Sequence, residues 1–209
     1  MLDYIRDPDA ITRRSFEIIE AEADLASLPK DIQPVAARIV HACGMPDVTA
    51  DLAYSEGAGV AGLKALQSGA PILCDVRMVA SGLMTRRLAA KNPVSVTIDE
   101  PGSEDFARRT GQTRSAAGIE LAATRLKDSI VVIGNAPTAL FRLLELLAGG
   151  AERPALVLGF PVGFVGAAES KVALAANDLG LAYIALHGRR GGSAMAAAAL
   201  NALILGRAP

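Results

Sequence analysis

The chain has 209 residues, 51% of them hydrophobic and only 4% aromatic, with no tryptophan and with 21 basic residues against 22 acidic ones. That length fits one well-buried domain, and a core of Ala, Val, Leu and Ile suits helices packed on a sheet better than an aromatic-rich β-sandwich. The balance of charge excludes the strongly basic face of a nucleic-acid binder, so any anion site must be a local arginine cluster.

In chain order, residues 1–7 lack a basic stretch followed by an apolar run, so no signal peptide is expected. Asp7-Pro8 opens a helix, with an acidic cap and proline in its first turn. Ile11, Ser15, Ile18 and Leu25 then fall on one face, which predicts an amphipathic helix over residues 8–25. A second helix starts near Asp31, carries Ile32, Val35, Ile39 and Ala42 on one stripe, and stops at Gly44 before Pro46. A third spans residues 60–66. Short β-branched runs follow at 72–76, 94–98, 130–134, 155–160 and 182–187, with helical segments at 114–126, 137–148, 166–178 and 192–204. The central runs are continuously apolar, as strands covered on both faces must be. The alternation predicts an α/β fold: a three-layer αβα domain with a mostly parallel sheet, the N-terminal helices packed on it, and residues 1–209 forming a single domain. The alanine-rich C-terminus, broken by Gly188, Arg189, Arg190 and Asn201, falls short of the roughly 18–20 apolar residues of a membrane span. Cys43 and Cys74 are too few for a metal quartet or a disulfide framework and read as small buried thiols. A soluble, cytoplasmic protein is the expectation.

Three strand ends run into Gly/Pro/Asn loops: Gly134-Asn135-Ala136-Pro137, residues 159–166, and His187-Gly188-Arg189-Arg190-Gly191-Gly192. In a parallel sheet all three emerge on the carboxyl edge, where ligands of such folds bind. Helix N-termini there offer N–H groups to an anion, and glycines allow close approach of a ligand. One such loop alone is an ordinary turn; three at one edge predict a pocket. Neither a G-x-G-x-x-G nor a P-loop pattern is present.

Of two histidines, His41 lies one turn after Arg38 and shares its face. The helix C-terminus attracts a proton to this imidazole while the guanidinium repels it, the opposed fields that a proton donor near neutral pH uses. On spacing alone the simpler role is a cap bonded to a carbonyl near Gly44. His187 closes a strand, where it either touches a ligand or stabilises the turn. Thr113-Arg114-Ser115 sets a guanidinium between two hydroxyls at a helix start, which suits a carboxylate or phosphate. Arg13-Arg14 and Arg189-Arg190 add basic pairs that fit a ligand with several carboxylates. No H-E-x-x-H, nucleophile elbow or metal-ligand cluster occurs.

Several blocks together carry a resemblance. They are Arg14-Ser15-Phe16, Arg38-Ile39-Val40-His41-Ala42-Cys43-Gly44, Gly69-Ala70-Pro71-Ile72-Leu73-Cys74-Asp75, Met78-Val79-Ala80 and Thr113-Arg114-Ser115-Ala116-Ala117. Gly134-Asn135-Ala136-Pro137-Thr138-Ala139-Leu140-Phe141 and residues 159–171, ending Glu169-Ser170-Lys171, are the most specific. On these the whole chain resembles the precorrin-8X methylmutase (precorrin isomerase) family of cobalamin biosynthesis. The resemblance implies an isomerase that shifts a methyl group from a bridging carbon of a polycarboxylated corrin precursor to the adjacent ring C carbon, with neither metal nor redox cofactor. It assigns the catalytic histidine to His41, substrate contacts to Ser15 and Arg38, and the grip on a peripheral carboxylate to Arg114 and Ser115. Asn135, Gly163 and Gly166 join as substrate-binding positions by their place on the carboxyl edge. The resemblance further implies a homodimer with sites near the interface, and contact with neighbouring pathway enzymes. The His41-Ala42-Cys43-Gly44 and Ile72-Leu73-Cys74-Asp75 stretches lean toward the metal-free branch over the cobalt one. Met45-Pro46 departs from the acidic residue many members carry after this glycine. Two other readings remain: a corrinoid carrier that hands on product without catalysis, and an enzyme using the same loops for a sugar phosphate or nucleotide.

Overall fold

A computed structural model describes residue 2 and residues 4–206. Asp7 caps the first helix as its side chain allows, Oδ1 accepting the Ala10 N–H at 2.7 Å, and α1 runs over Pro8–Glu22. Its buried face differs from the expected one. Phe16, Ile19 and the following Ala23 turn inward, while Ile11 and Ile18 are 45% and 40% exposed. Both sets recur at helical spacing, and the bulky Phe16 decides which one the core takes. Helix α2 spans Gln33–Cys43 and ends at Gly44, whose left-handed backbone (φ 68°) returns its N–H to the Val40 carbonyl at 2.7 Å. Val35, Ala36, Ala37, Ile39 and Val40 are all buried, a wider stripe than the sequence pattern drew, and Ala42 lies outside it.

After a 3₁₀ turn at Pro46–Asp51 come β1 (Leu52–Tyr54), α3 (Ala58–Gln67), β2 (Ile72–Cys74), α4 (Arg77–Ser81), β3 (Val94–Val96) and α5 (Ser103–Thr110). Then follow α6 (Arg114–Leu121), β4 (Ile130–Ile133), α7 (Pro137–Ala148), β5 (Leu156–Gly159), α8 (Ala167–Ala175), β6 (Tyr183–Leu186) and α9 (Ser193–Leu205). The six strands form one sheet in the order β1-β6-β5-β4-β2-β3, parallel except for β1, which pairs antiparallel with β6. All five expected strands are present with shorter ends. The sequence pattern missed β1, α4 and α5: three residues are too few to alternate, and α5 buries only Ser103 and Ala107.

Side chains alternate across the sheet. Ile72, Ile130, Val132, Leu156 and Leu158 meet α1, α2, α3, α4 and α9 on one face; Leu73, Val131, Ile133 and Val157 meet α6, α7 and α8 on the other. This is the three-layer αβα arrangement. Strand β2 leaves the sheet toward α4 on the first face, and its neighbour β4 leaves toward α7 on the second. The topological switch point therefore lies between the carboxyl ends of β2 and β4.

Candidate active site

The switch-point crevice is filled by the protein itself. Asp75, fully buried just beyond β2, accepts the N–H groups of Gly134, Asn135 and Ala136 at 3.0, 2.8 and 3.0 Å. Burial pushes its carboxyl pKa up, and these three bonds pull the other way. The N–H groups expected to await a ligand anion before α7 are thus already used. A Cβ on Gly134 would meet Val79, Ser193 and Ala196 within 2.7–2.9 Å, and one on Gly191 would stand 2.5 Å from the Phe160 carbonyl oxygen. These two glycines admit neighbouring chain, not a ligand. Gly163 differs: its backbone is at φ 140° and nothing lies within 4 Å of the missing Cβ. The loop from Gly163 to Gly166 holds Phe164 and Val165 more than 80% exposed.

An open cleft occurs instead where α1 meets the end of α2. It has a volume of about 300 Å³ and is lined by Ser15, Ile18, Ile19, Glu22, Val40, His41, Gly44 and Pro46. The His41 imidazole is exposed and stacks on the Phe16 ring, centroids 5.1 Å apart and planes 13° from parallel. Among the described residues it makes no hydrogen bond, so the capping role is not what this ring does; Gly44 closes the helix through its backbone. Arg38 places its guanidinium 5.4 Å from the same Phe16 ring. Burial lowers the Arg38 pKa, and no carboxylate pairs with it among the described residues. A half-buried cation without an anion is a ready seat for a ligand carboxylate. Ser15 spends its hydroxyl proton on the Ile11 carbonyl at 2.9 Å and keeps its lone pairs for a donor.

The other expected site residues lie elsewhere on the carboxyl edge. Thr113 caps α6, and its hydroxyl meets that of Thr138 at the start of α7 at 2.7 Å. Arg114 turns toward the end of β3, donating from Nε to the Ile98 carbonyl at 3.1 Å and lying 3.7 Å from Asp99, which also holds Arg77. Ser115 is buried beneath it in the helix, and the Asn135 side chain is exposed. Within one chain, then, Ser15 and His41 line one cleft and Arg38 stands beside it at the Phe16 ring, while Arg114, Ser115, Asn135, Gly163 and Gly166 do not join it. Three residues of the basic pairs meet neighbours within the chain. Arg14 pairs with Glu17, Arg189 lies over Phe164, and Arg190 is held by Asp47 and Asp51. Sequence reasoning overlooked Phe16 as the plate shared by Arg38 and His41, although it stands in the Arg14-Ser15-Phe16 block. Asp75 as the crevice plug was equally overlooked. Among the described residues no group of three or more His, Cys, Asp or Glu is placed to hold a metal, and no helix is long and apolar enough to cross a membrane.

Comparison with known proteins identifies the family. The sequence model of the family described as Precorrin-8X methylmutase matches residues 10–205. A protein of Pseudomonas aeruginosa named Precorrin-8X methylmutase is 59% identical over 97% of this chain and 98% of its own. One of Leptospira interrogans named Cobalt-precorrin-8 methylmutase is 39% identical over 93% and 92%. The crystal structure of the precorrin-8X methylmutase from Thermus thermophilus superposes with a TM-score of 0.85 at 42% identity, covering 94% of this chain and 95% of that one. The chain belongs to the precorrin-8X methylmutase family of isomerases in cobalamin biosynthesis.

Proposed function

We propose that this chain converts precorrin-8X to hydrogenobyrinate by moving one methyl group from a bridging carbon to the adjacent ring C carbon, with His41 as proton donor and acceptor. One constellation carries the reading: an exposed imidazole stacked on Phe16, beside a half-buried Arg38 that has no anionic partner among the described residues. A hydrogen bond or proton from His41 to the ring C nitrogen region draws electrons out of the conjugated system and lowers the migration barrier. Acid assistance of this kind contributes ~10²–10⁴-fold. Phe16 fixes the plane of the imidazole, and Arg38 grips a peripheral carboxylate whose position sets the macrocycle over it. Ser15 contributes an acceptor at the mouth. Arg114, with Ser115, takes a second carboxylate, and Asn135, Gly163 and Gly166 border the far side. The bond broken and the bond formed both lie within the substrate, which is isomeric with the product, so the protein itself need only donate and take back a proton.

A cleft of about 300 Å³ is too small to enclose a corrin with its carboxylate arms. Tyr4, Ile5, Ile11 and Ile18 leave an exposed apolar strip on the adjoining N-terminal arm and α1. Both observations support a homodimer in which a second copy covers this strip and completes the site near the interface. One sheet with helices on both faces supports reading residues 1–209 as a single domain. The higher identity to a relative named for precorrin-8X than to one named for its cobalt form favours the metal-free substrate. The setting proposed is the cytoplasm, with product passed to neighbouring pathway enzymes. The test is incubation of the purified chain with enzymatically prepared precorrin-8X, followed by visible spectroscopy and chromatography. An orange product isomeric with the substrate is expected. Tight binding without isomerisation would replace the reading with that of a carrier, and competition by phosphates without tetrapyrrole binding would replace it with that of a different enzyme.

A further inference from the structure

Lys171, on α8, has no solvent exposure. A buried ammonium is costly unless it is paired and hydrogen-bonded, so the one bond it makes among the described residues is informative. Nζ donates to the Arg190 carbonyl oxygen at 2.6 Å. Arg190 lies in the loop between β6 and α9, and its guanidinium divides between two carboxylates, Nη1 meeting Asp47 Oδ2 at 2.6 Å and Nη2 meeting Asp51. Both aspartates belong to the 3₁₀ turn Pro46–Asp51, which follows the Gly44 cap of α2 after a single residue. Pro46, next to Asp47, is part of the wall of the His41 cleft. The same loop is tied to the β5 end, Gly192 N–H to the Phe160 carbonyl at 2.8 Å and Gly163 N–H to the Arg189 carbonyl at 3.2 Å. Arg190 thus links α8 to the segment leaving His41, and its loop neighbours Arg189 and Gly192 tie that link to the β5 end.

We propose that Lys171 and Arg190, with Asp47 and Asp51, are positioning residues that fix the His41 end of α2 against the carboxyl edge of the sheet; none of the four touches the reacting atoms. Fold stability alone does not require the arrangement. The pairing of β1 with β6, and the bond from His187 N–H to the Asp51 carbonyl at 2.8 Å, already anchor the far end of the turn. Exposed ion pairs add ~0–1 kcal/mol each. What the shared guanidinium adds is a fixed place for Asp47 and hence for Pro46, on the rim where a shift of roughly 1 Å costs up to ~10²-fold in rate.

The inference rests on the reading that His41 acts on the substrate, and the experiment separates the two. Arg190→Gln and Arg190→Lys are made in the full-length chain, with His187→Gln as background so that one imidazole remains for NMR. The kcat and KM of the methyl shift and the His41 ring resonances without substrate are then recorded. Arg190→Gln is expected to lower kcat about 10-fold with KM within about twofold, and to move the His41 resonances. Arg190→Lys, which keeps a cation for one carboxylate, should recover much of both, and Lys171→Met should act in the same direction as Arg190→Gln. Unmoved His41 resonances in Arg190→Gln, with or without a loss of kcat, would overturn the brace. Moved resonances with unchanged kcat would uphold it and remove His41 from catalysis instead. If Arg190→Gln does not fold by circular dichroism, Asp47→Asn cuts one arm only and takes the same readouts.

Discussion

Two parts of the carboxyl edge behave in the structure oppositely to what their sequences suggest. The switch point between β2 and β4 is where open α/β sheets usually receive ligands, yet here Asp75 binds all three loop N–H groups and α9 packs onto Gly134. The junction of α1 and α2 carries no glycine-rich loop, yet it leaves an imidazole without a hydrogen bond and a guanidinium without a carboxylate among the described residues. Satisfied polar groups make a scaffold; unsatisfied ones at a cleft make a site. The position of a loop in the topology does not tell which of the two it will be.

The sharpest way to break this contrast is to remove a group from each side. His41→Ala should lower kcat ~10²–10⁴-fold, and the lost stacking on Phe16 should cost only about 1 kcal/mol of stability; steady-state assay and urea unfolding read the two effects. Asp75→Ala should do the reverse. Three N–H groups, one buried and two part-buried, lose their acceptor; at the low end of ~1–3 kcal/mol each, a loss of about 3 kcal/mol in urea unfolding is expected. A kcat loss as deep as that of His41→Ala in a fully folded Asp75 variant would mean that the crevice is itself the site.

A smaller effect sharpens the scaffold half. Burial lowers the Lys171 pKa to about 8, with Asp51 opposing it, whereas the open chain keeps the ordinary value of 10.5. Between those values the unfolded chain binds the extra proton, so folding stability contributed at this residue rises with pH across the window and is flat below it. Against Lys171→Met, wild-type protein should therefore gain about 2 kcal/mol on going from about pH 7.5 to about pH 10. Urea midpoints measured for both proteins across that range check it, and a difference that stays constant would place the ammonium in water.

Much of the scaffold was legible in the sequence because strands buried on both faces leave continuous apolar runs, and because Asp7-Pro8 and Gly44 are strong helix punctuation. Helix α5 was not, since its faces are charged and only the flanking Gly102 and Gly111, both with positive φ, mark its ends. The wrong face of α1 has a more instructive cause. Ile11, Ser15 and Ile18 form as good a stripe as Phe16, Ile19 and Ala23, and a pattern of apolar positions cannot separate a face that meets the core from one that stays outside. The site followed the same division. His41 and Arg38 were recognisable as a pair from one-turn spacing, whereas Phe16 joins them only through tertiary contact. Arg190 shows the converse: it read as a ligand-binding cation, and two aspartates 139 and 143 residues away claim it.

A structure of the protein with bound hydrogenobyrinate would put the contrast between plugged crevice and open cleft to the most direct test. The macrocycle should lie over the α1–α2 junction with a His41 ring nitrogen within hydrogen-bond reach of the ring C region and Arg38 on a peripheral carboxylate. A macrocycle seated over the Gly134 and Gly191 loops, with the His41 ring facing bulk water, would contradict it.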